Sequence, residues 1–128
     1  MAGKSKKPAK KTKAKAKAKS KRATKSAKAS GWRKPVKNLS DVRANIDRLD
    51  AKIAPLLCER LYFVTQAAQF KPSVAGVVVP ARVEEIVARV RAVAASLDTS
   101  PDTLERVYRA IIDAFTADEQ RHWQELHK

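Results

Sequence analysis

One apolar stripe sets the scale of this chain. Val42, Ile46, Leu49, Ile53, Leu57, Leu61 and Val64 recur at spacings of three and four, which puts them on one face of a helix. The pattern predicts a helix from about Leu39 to Phe70. A helix of about 30 residues is about 45 Å long, longer than a globule built from residues 38–128 is wide. Its far end needs cover from elsewhere, and a second copy of the chain is the expected source. Asn38 or Ser40 can cap the start, with Asp41 in the first turn favourable to the helix dipole. Pro55 inside the helix should kink it. Lys71 precedes Pro72, which disfavours helical dihedrals and marks the end.

The formal charge of +15 is unevenly spread. Residues 1–37 hold 16 Lys/Arg and no acid, whereas residues 38–128 hold 12 Lys/Arg against 13 Asp/Glu. Two regions follow: a basic Lys/Ala-rich tail and linker over 1–37, and a nearly neutral domain over 38–128. Like charges and few apolar residues give the tail a disordered composition. It resembles the lysine/alanine tails of histone H1-like proteins. Residues 1–31 can attract nucleic acid or another polyanion nonspecifically, or can serve only as a solubilising extension. Gly31–Lys37, with Trp32 and Pro35, reads as a linker.

No apolar run is long enough to span a bilayer, and the start lacks the apolar centre of a secretory signal. With a single cysteine, Cys58, no intrachain disulfide forms, which fits a reducing compartment. A cytoplasmic location is expected. Cys58 lies in an apolar run and reads as a small buried hydrophobe.

The rest of the domain is also helical. After a loop over 73–79, Pro80 opens a second helix through Val83, Ile86, Val87, Val90 and Val93 to about Ser96. Ser100-Pro101-Asp102 opens a third, as capping serine, proline and acid. Its stripe runs Leu104, Val107, Tyr108, Ile111, Ile112, Phe115, Glu119, Trp123 and Leu126. The fold class is all-α, three helices with a long first one.

Charges interrupt these stripes. Arg60 and Lys71 are eleven residues apart, about 20° from a whole number of turns and about 16 Å along the axis. Both can lean into one space that suits a small dianion, with Arg60 gripping a carboxylate. Arg43 lies about 25 Å from Arg60, too far to share that ligand. If it binds, it serves a pocket built with the other chain. Arg82, in the first turn of helix 2, can close the loop side. The alternative is surface pairing, Arg43 with Asp47 and Arg82 with Glu84 or Glu85. Glu119 shares a face with Phe115 and Trp123, where desolvation favours the neutral acid. A protonated carboxyl can donate a hydrogen bond to an ether or developing oxyanion. Otherwise Glu119 sits on a solvent-facing turn beside His122. His122 and His127 are off the metal-binding i,i+4 spacing, and no metal site, glycine-rich phosphate loop or nucleophilic triad is evident.

The run LSDVRANIDRLDAKIAPLLCERLYFVTQAAQFK, followed by VPARVEEI and IIDAFTADEQRHW, resembles the all-helical chorismate mutases, a family that includes the isochorismate pyruvate lyases. The likeness covers about residues 38–126. It implies an intertwined, domain-swapped homodimer in which each active site takes an arginine from the partner. Carried over by position, Arg43 would be that arginine and Arg60 the second carboxylate-binding one. Lys71 would contact the carboxylate and ether region, with Arg82 at the helix 2 side. Glu119 falls where bacterial members carry a glutamine that donates to the ether oxygen, and where some fungal members carry glutamate. Val83 and Val79 replace a glutamate and an aspartate of typical mutases, as in the lyase branch.

The implied reaction is pericyclic and needs neither metal nor cofactor. Chorismate to prephenate, in aromatic amino-acid biosynthesis, is the first expectation. Isochorismate to salicylate and pyruvate is the second. A non-enzymatic nucleic-acid-associated protein acting through its tail is the reading from another class.

Overall fold

The computed structural model of the chain describes residues 31–128. The tail expected over 1–37 therefore lies outside the described residues as far as residue 30. The rest is helical: α1 over Leu39–Ala67, α2 over Pro80–Ser96 and α3 over Pro101–Leu126, with no strand among the described residues. Short 3-10 turns follow α1 at Ala68–Phe70 and precede α2 at Ala75–Val77.

The helix boundaries follow from local chemistry. The Asn38 side chain accepts from the Asp41 amide at 2.8 Å, so asparagine rather than Ser40 caps α1. Pro55 lies inside this helix, which runs through it unbroken. The helix expected to reach Phe70 leaves α-geometry at Ala68 and tightens, because the coming Pro72 forbids another α turn at Lys71. Ser100 caps α3 by accepting from the Thr103 amide, with Pro101 next. At the end of α2, Thr99 N–H reaches Ala94 O at 2.9 Å and Asp98 N–H reaches Ala95 O at 3.2 Å. This is the Schellman arrangement, with Asp98 at φ 53° in the place glycine usually takes.

Residues 31–37 do more than link. The Arg33 guanidinium donates to the carbonyls of Leu97 (2.6 Å) and Asp98 (3.0 Å), the electronegative end of α2. Arg33 also lies 4.6 Å from the Trp32 ring centre.

α3 packs against both α2 and α1. The buried apolar residues are few and small: Ala68, Val77, Val87 and Ala94. On α1, Leu57, Leu61 and Val64 are partly covered, whereas Ile46, Leu49 and Ile53 remain about half exposed. Leu39 and Leu56 are still more open. Cys58, expected to be buried, is exposed, since α1 is covered along only part of its length.

Charges knit the outer side of α2 to α3. Glu105 accepts from Arg109 and from Arg91, each at 2.8 Å, and Arg109 also reaches Glu84. Arg109 first, then Arg91, holds the Glu105 carboxyl below its ordinary range against the opposing effect of burial. A depressed carboxyl stabilises the fold above its unfolded pKa, and that contribution disappears as pH falls through the folded value. Glu105→Gln should therefore lower the melting temperature at pH 7 and make little difference near pH 3, as read by thermal melts at both.

Candidate active site

The end of α1, the loop before α2, the start of α2 and the middle of α3 from Ile112 to Glu119 line a cavity of about 570 Å³. That is the size of an ordinary small-molecule site. Arg60, Lys71, Arg82 and Glu119 all line it. Arg43 does not: it is exposed near the start of α1 and pairs with no acid among the described residues, Asp47 included.

Each charged group is placed by its neighbours. The Arg60 guanidinium carbon lies 5.3 Å from the centre of the Phe115 ring, so the α3 aromatic steers an α1 cation by a cation–π contact. Lys71 reaches the cavity differently from the helical-phase expectation. At φ −99° and ψ 140° it is already extended, immediately after the 3-10 turn. Its ammonium donates to Val77 O at 3.2 Å and lies 3.3 Å from Glu119 Oε2. Arg82 is half exposed and bound to Glu85 at 2.7 Å. The surface-pairing alternative and the cavity position therefore hold for it together.

Glu119 is the one buried charged residue among those described, with its side chain 7% exposed. It pairs with Lys71, and Oε2 makes no hydrogen bond within the described residues. Burying a carboxylate oxygen without a donor costs free energy, so the arrangement is better suited to a ligand than to stability. The neighbouring Gln120 points elsewhere and donates to Val74 O at 3.5 Å.

The remaining wall is apolar. Val77, Val78, Val79, Val83 and Ile86 face the cavity from the loop and α2. Ile112 and Phe115 contribute from α3, and Phe63, Val64 and Ala67 from α1. Thr116, which the sequence reading passed over, adds a hydroxyl-bearing residue to the lining. Its signal was its position three residues before Glu119, on the same helical face. Lys71 is offset by Glu119 and Arg82 by Glu85, whereas Arg60 pairs with no acid among the described residues. The three cations together suit an anionic ligand.

The chorismate mutase type II family matches residues 42–120. The chain belongs to that family. An isochorismate pyruvate lyase from Pseudomonas aeruginosa is 29% identical over 87 residues, covering 68% of this chain and 86% of the relative. The three-helix architecture agrees with membership of the chorismate mutase type II family. No described helix is long and apolar enough to cross a membrane, and no cluster of metal-ligating side chains occurs among the described residues.

The buried pair has a measurable signature. Lys71→Met leaves Glu119 without its counter-charge and should cost about 3 kcal/mol. Combining it with Glu119→Met removes both charges and should recover most of that loss. Urea unfolding of the two variants at pH 7 checks this.

Proposed function

We propose that the cavity catalyses a pericyclic reaction of a cyclohexadiene dicarboxylate bearing an enolpyruvyl ether, with chorismate to prephenate as the principal reaction. The observation that carries this reading is the meeting of Lys71 and Glu119, 3.3 Å apart, inside an otherwise apolar cavity that also holds Arg60. In chorismate the ether C–O bond breaks while the enolpyruvyl methylene carbon bonds to the ring. No proton, nucleophile or electron acceptor is consumed. The protein needs only to fold the flexible side chain over the ring and to stabilise negative charge growing on the ether oxygen.

Roles follow from placement. Arg60 grips a carboxylate, with Arg82 at the open side. Lys71 donates to the ether oxygen and an adjacent carboxylate. Glu119 donates a second hydrogen bond to the ether oxygen, for which it must be the acid, since a carboxylate only accepts.

Arg60→Ala should reduce kcat/KM by about 100-fold, and Lys71→Ala kcat by about 1000-fold. Arg60→Ala should retain wild-type helicity. Glu119→Gln, whose amide can donate from the same place, should keep kcat within about threefold of wild type, whereas Glu119→Ala should lower it about 100-fold. A Glu119→Ala variant with wild-type kcat contradicts the role of Glu119.

A specific feature favours a second reading. The loop and α2 face the cavity with Val77, Val78, Val79 and Val83, giving a ring hydroxyl no carboxylate partner on that wall. The Pseudomonas aeruginosa relative bears the name of an isochorismate pyruvate lyase. In that reaction a ring hydrogen passes to the enolpyruvyl methylene as the C–O bond breaks, giving salicylate and pyruvate. It asks the same work of Lys71 and Arg60.

The half-exposed Ile46, Leu49 and Ile53 on α1 support an intertwined homodimer, with α1 paired along its length and Arg43 of each chain completing the other's cavity. Ile53→Asp should therefore give a monomer by light scattering and remove most activity. The basic residues 1–31 extend beyond this machinery. Deleting them should abolish any salt-sensitive DNA binding and leave turnover intact.

A further inference from the structure

One turn of α3 holds Lys71 at both ends. Glu119 meets its ammonium at 3.3 Å. Four residues later, on the same face, the Trp123 indole N–H donates to the Lys71 backbone carbonyl at 2.9 Å. Between them Gln120 reaches the Val74 carbonyl at 3.5 Å. Lys71 needs such anchoring. It has left the helix, Pro72 follows it, and its own amide is tied only to Ala68 O at 3.1 Å. The loop beyond has little regular structure before Pro80 apart from Ala75–Val77. Without an external tie, the backbone at Lys71 would carry its long side chain with it.

The tie is itself braced. The His127 ring stacks on the Trp123 indole with centroids 3.9 Å apart, and its Nδ1 lies 2.8 Å from the Trp123 carbonyl. The indole therefore has one flank covered at the exposed end of α3, where a tryptophan would otherwise be free to change rotamer.

We propose that Trp123 is a positioning residue that sets the distance and direction of the Lys71 ammonium relative to Glu119, with Gln120 steadying the loop beside it. It touches no substrate. The inference rests on the pericyclic reading, in which Lys71 acts at the transition state. A loss of registration of about 1 Å at a reacting group can cost up to about 100-fold in rate. Removing one neutral hydrogen bond that enforces registration should cost about tenfold. Ground-state binding should change little, because Arg60 stands on another helix against Phe115.

The test uses the full chain with Trp123 replaced by its benzothiophene isostere, in which sulfur takes the place of the N–H and ring shape is kept. Trp123→Phe is the companion variant. Two readouts run together: steady-state kinetics on chorismate and isochorismate, and amide hydrogen exchange across residues 71–78. The expected result is kcat down about tenfold with KM within about twofold. Exchange at Lys71, Val77 and Val78 should quicken about fivefold while α2–α3 amides stay as they were. Unchanged exchange in this segment overturns the clamp. Faster exchange with unchanged kcat overturns the positioning role. Absence of turnover in the unsubstituted protein overturns the pericyclic reading, and the positioning role with it, whereas the exchange data still decide whether the clamp exists.

Discussion

Lys71 and Glu119 share a low-dielectric space that neither could occupy comfortably alone. An ammonium 23% exposed and a carboxylate 7% exposed lie 3.3 Å apart, and the carboxylate oxygen concerned has no hydrogen-bond donor of its own among the described residues. Pairs of this kind return little net stability, because desolvation offsets much of the attraction. Yet much of the local structure serves to keep this one. α1 shortens into a 3-10 turn so that Lys71 can leave it. α3 passes close enough to place Glu119 on the ammonium and Trp123 on the carbonyl behind it. Such a costly feature, held so firmly, is what a site prepared for charge development requires.

The same economy explains the core. Buried apolar residues among the described residues are confined to two alanines and two valines. Larger side chains of α1 line the cavity, as Phe63 and Val64 do, are only partly covered, as Leu57 and Leu61 are, or remain exposed. A domain of this size folds alone only marginally, and here part of its apolar surface lines the cavity. The exposed stripe of Ile46, Leu49 and Ile53 is the counterpart of that choice. It ties the proposed pairing of two chains to the proposed completion of each cavity by the other chain's Arg43.

Much of the fold was legible because its signals are local. Asn38, Pro80 and Ser100-Pro101 mark helix starts by chemistry confined to one turn, and all three marks stand in the structure. Arg60 and Lys71 could be brought together by helical phase, although Lys71 arrives by an extended residue rather than a continued turn; Arg82 was legible from its place in the first turn of α2, and Glu119 from the stripe it shares with Phe115 and Trp123. What stayed hidden depends on distant partners. The Trp123 bond to Lys71 spans 52 positions and the Arg33 bond to Leu97 spans 64, and neither leaves a periodic trace. Cys58 misled because membership of an apolar run says nothing about whether another helix covers it. Asp98 stands in a left-handed position usually marked by glycine, so the end of α2 carried a weaker sign than its start.

In this chorismate mutase type II chain, the proposed reaction is turnover of an enolpyruvyl dicarboxylate in a cation-lined apolar cavity, without chemical help from the protein beyond shape and charge. Its most direct test supplies the purified full chain with chorismate and isochorismate separately, in buffer treated with a chelator, and identifies the products by chromatography. The account predicts catalytic formation of prephenate from chorismate, with salicylate and pyruvate from isochorismate as the second outcome compatible with the site. Failure to accelerate either reaction above the uncatalysed rate would contradict it.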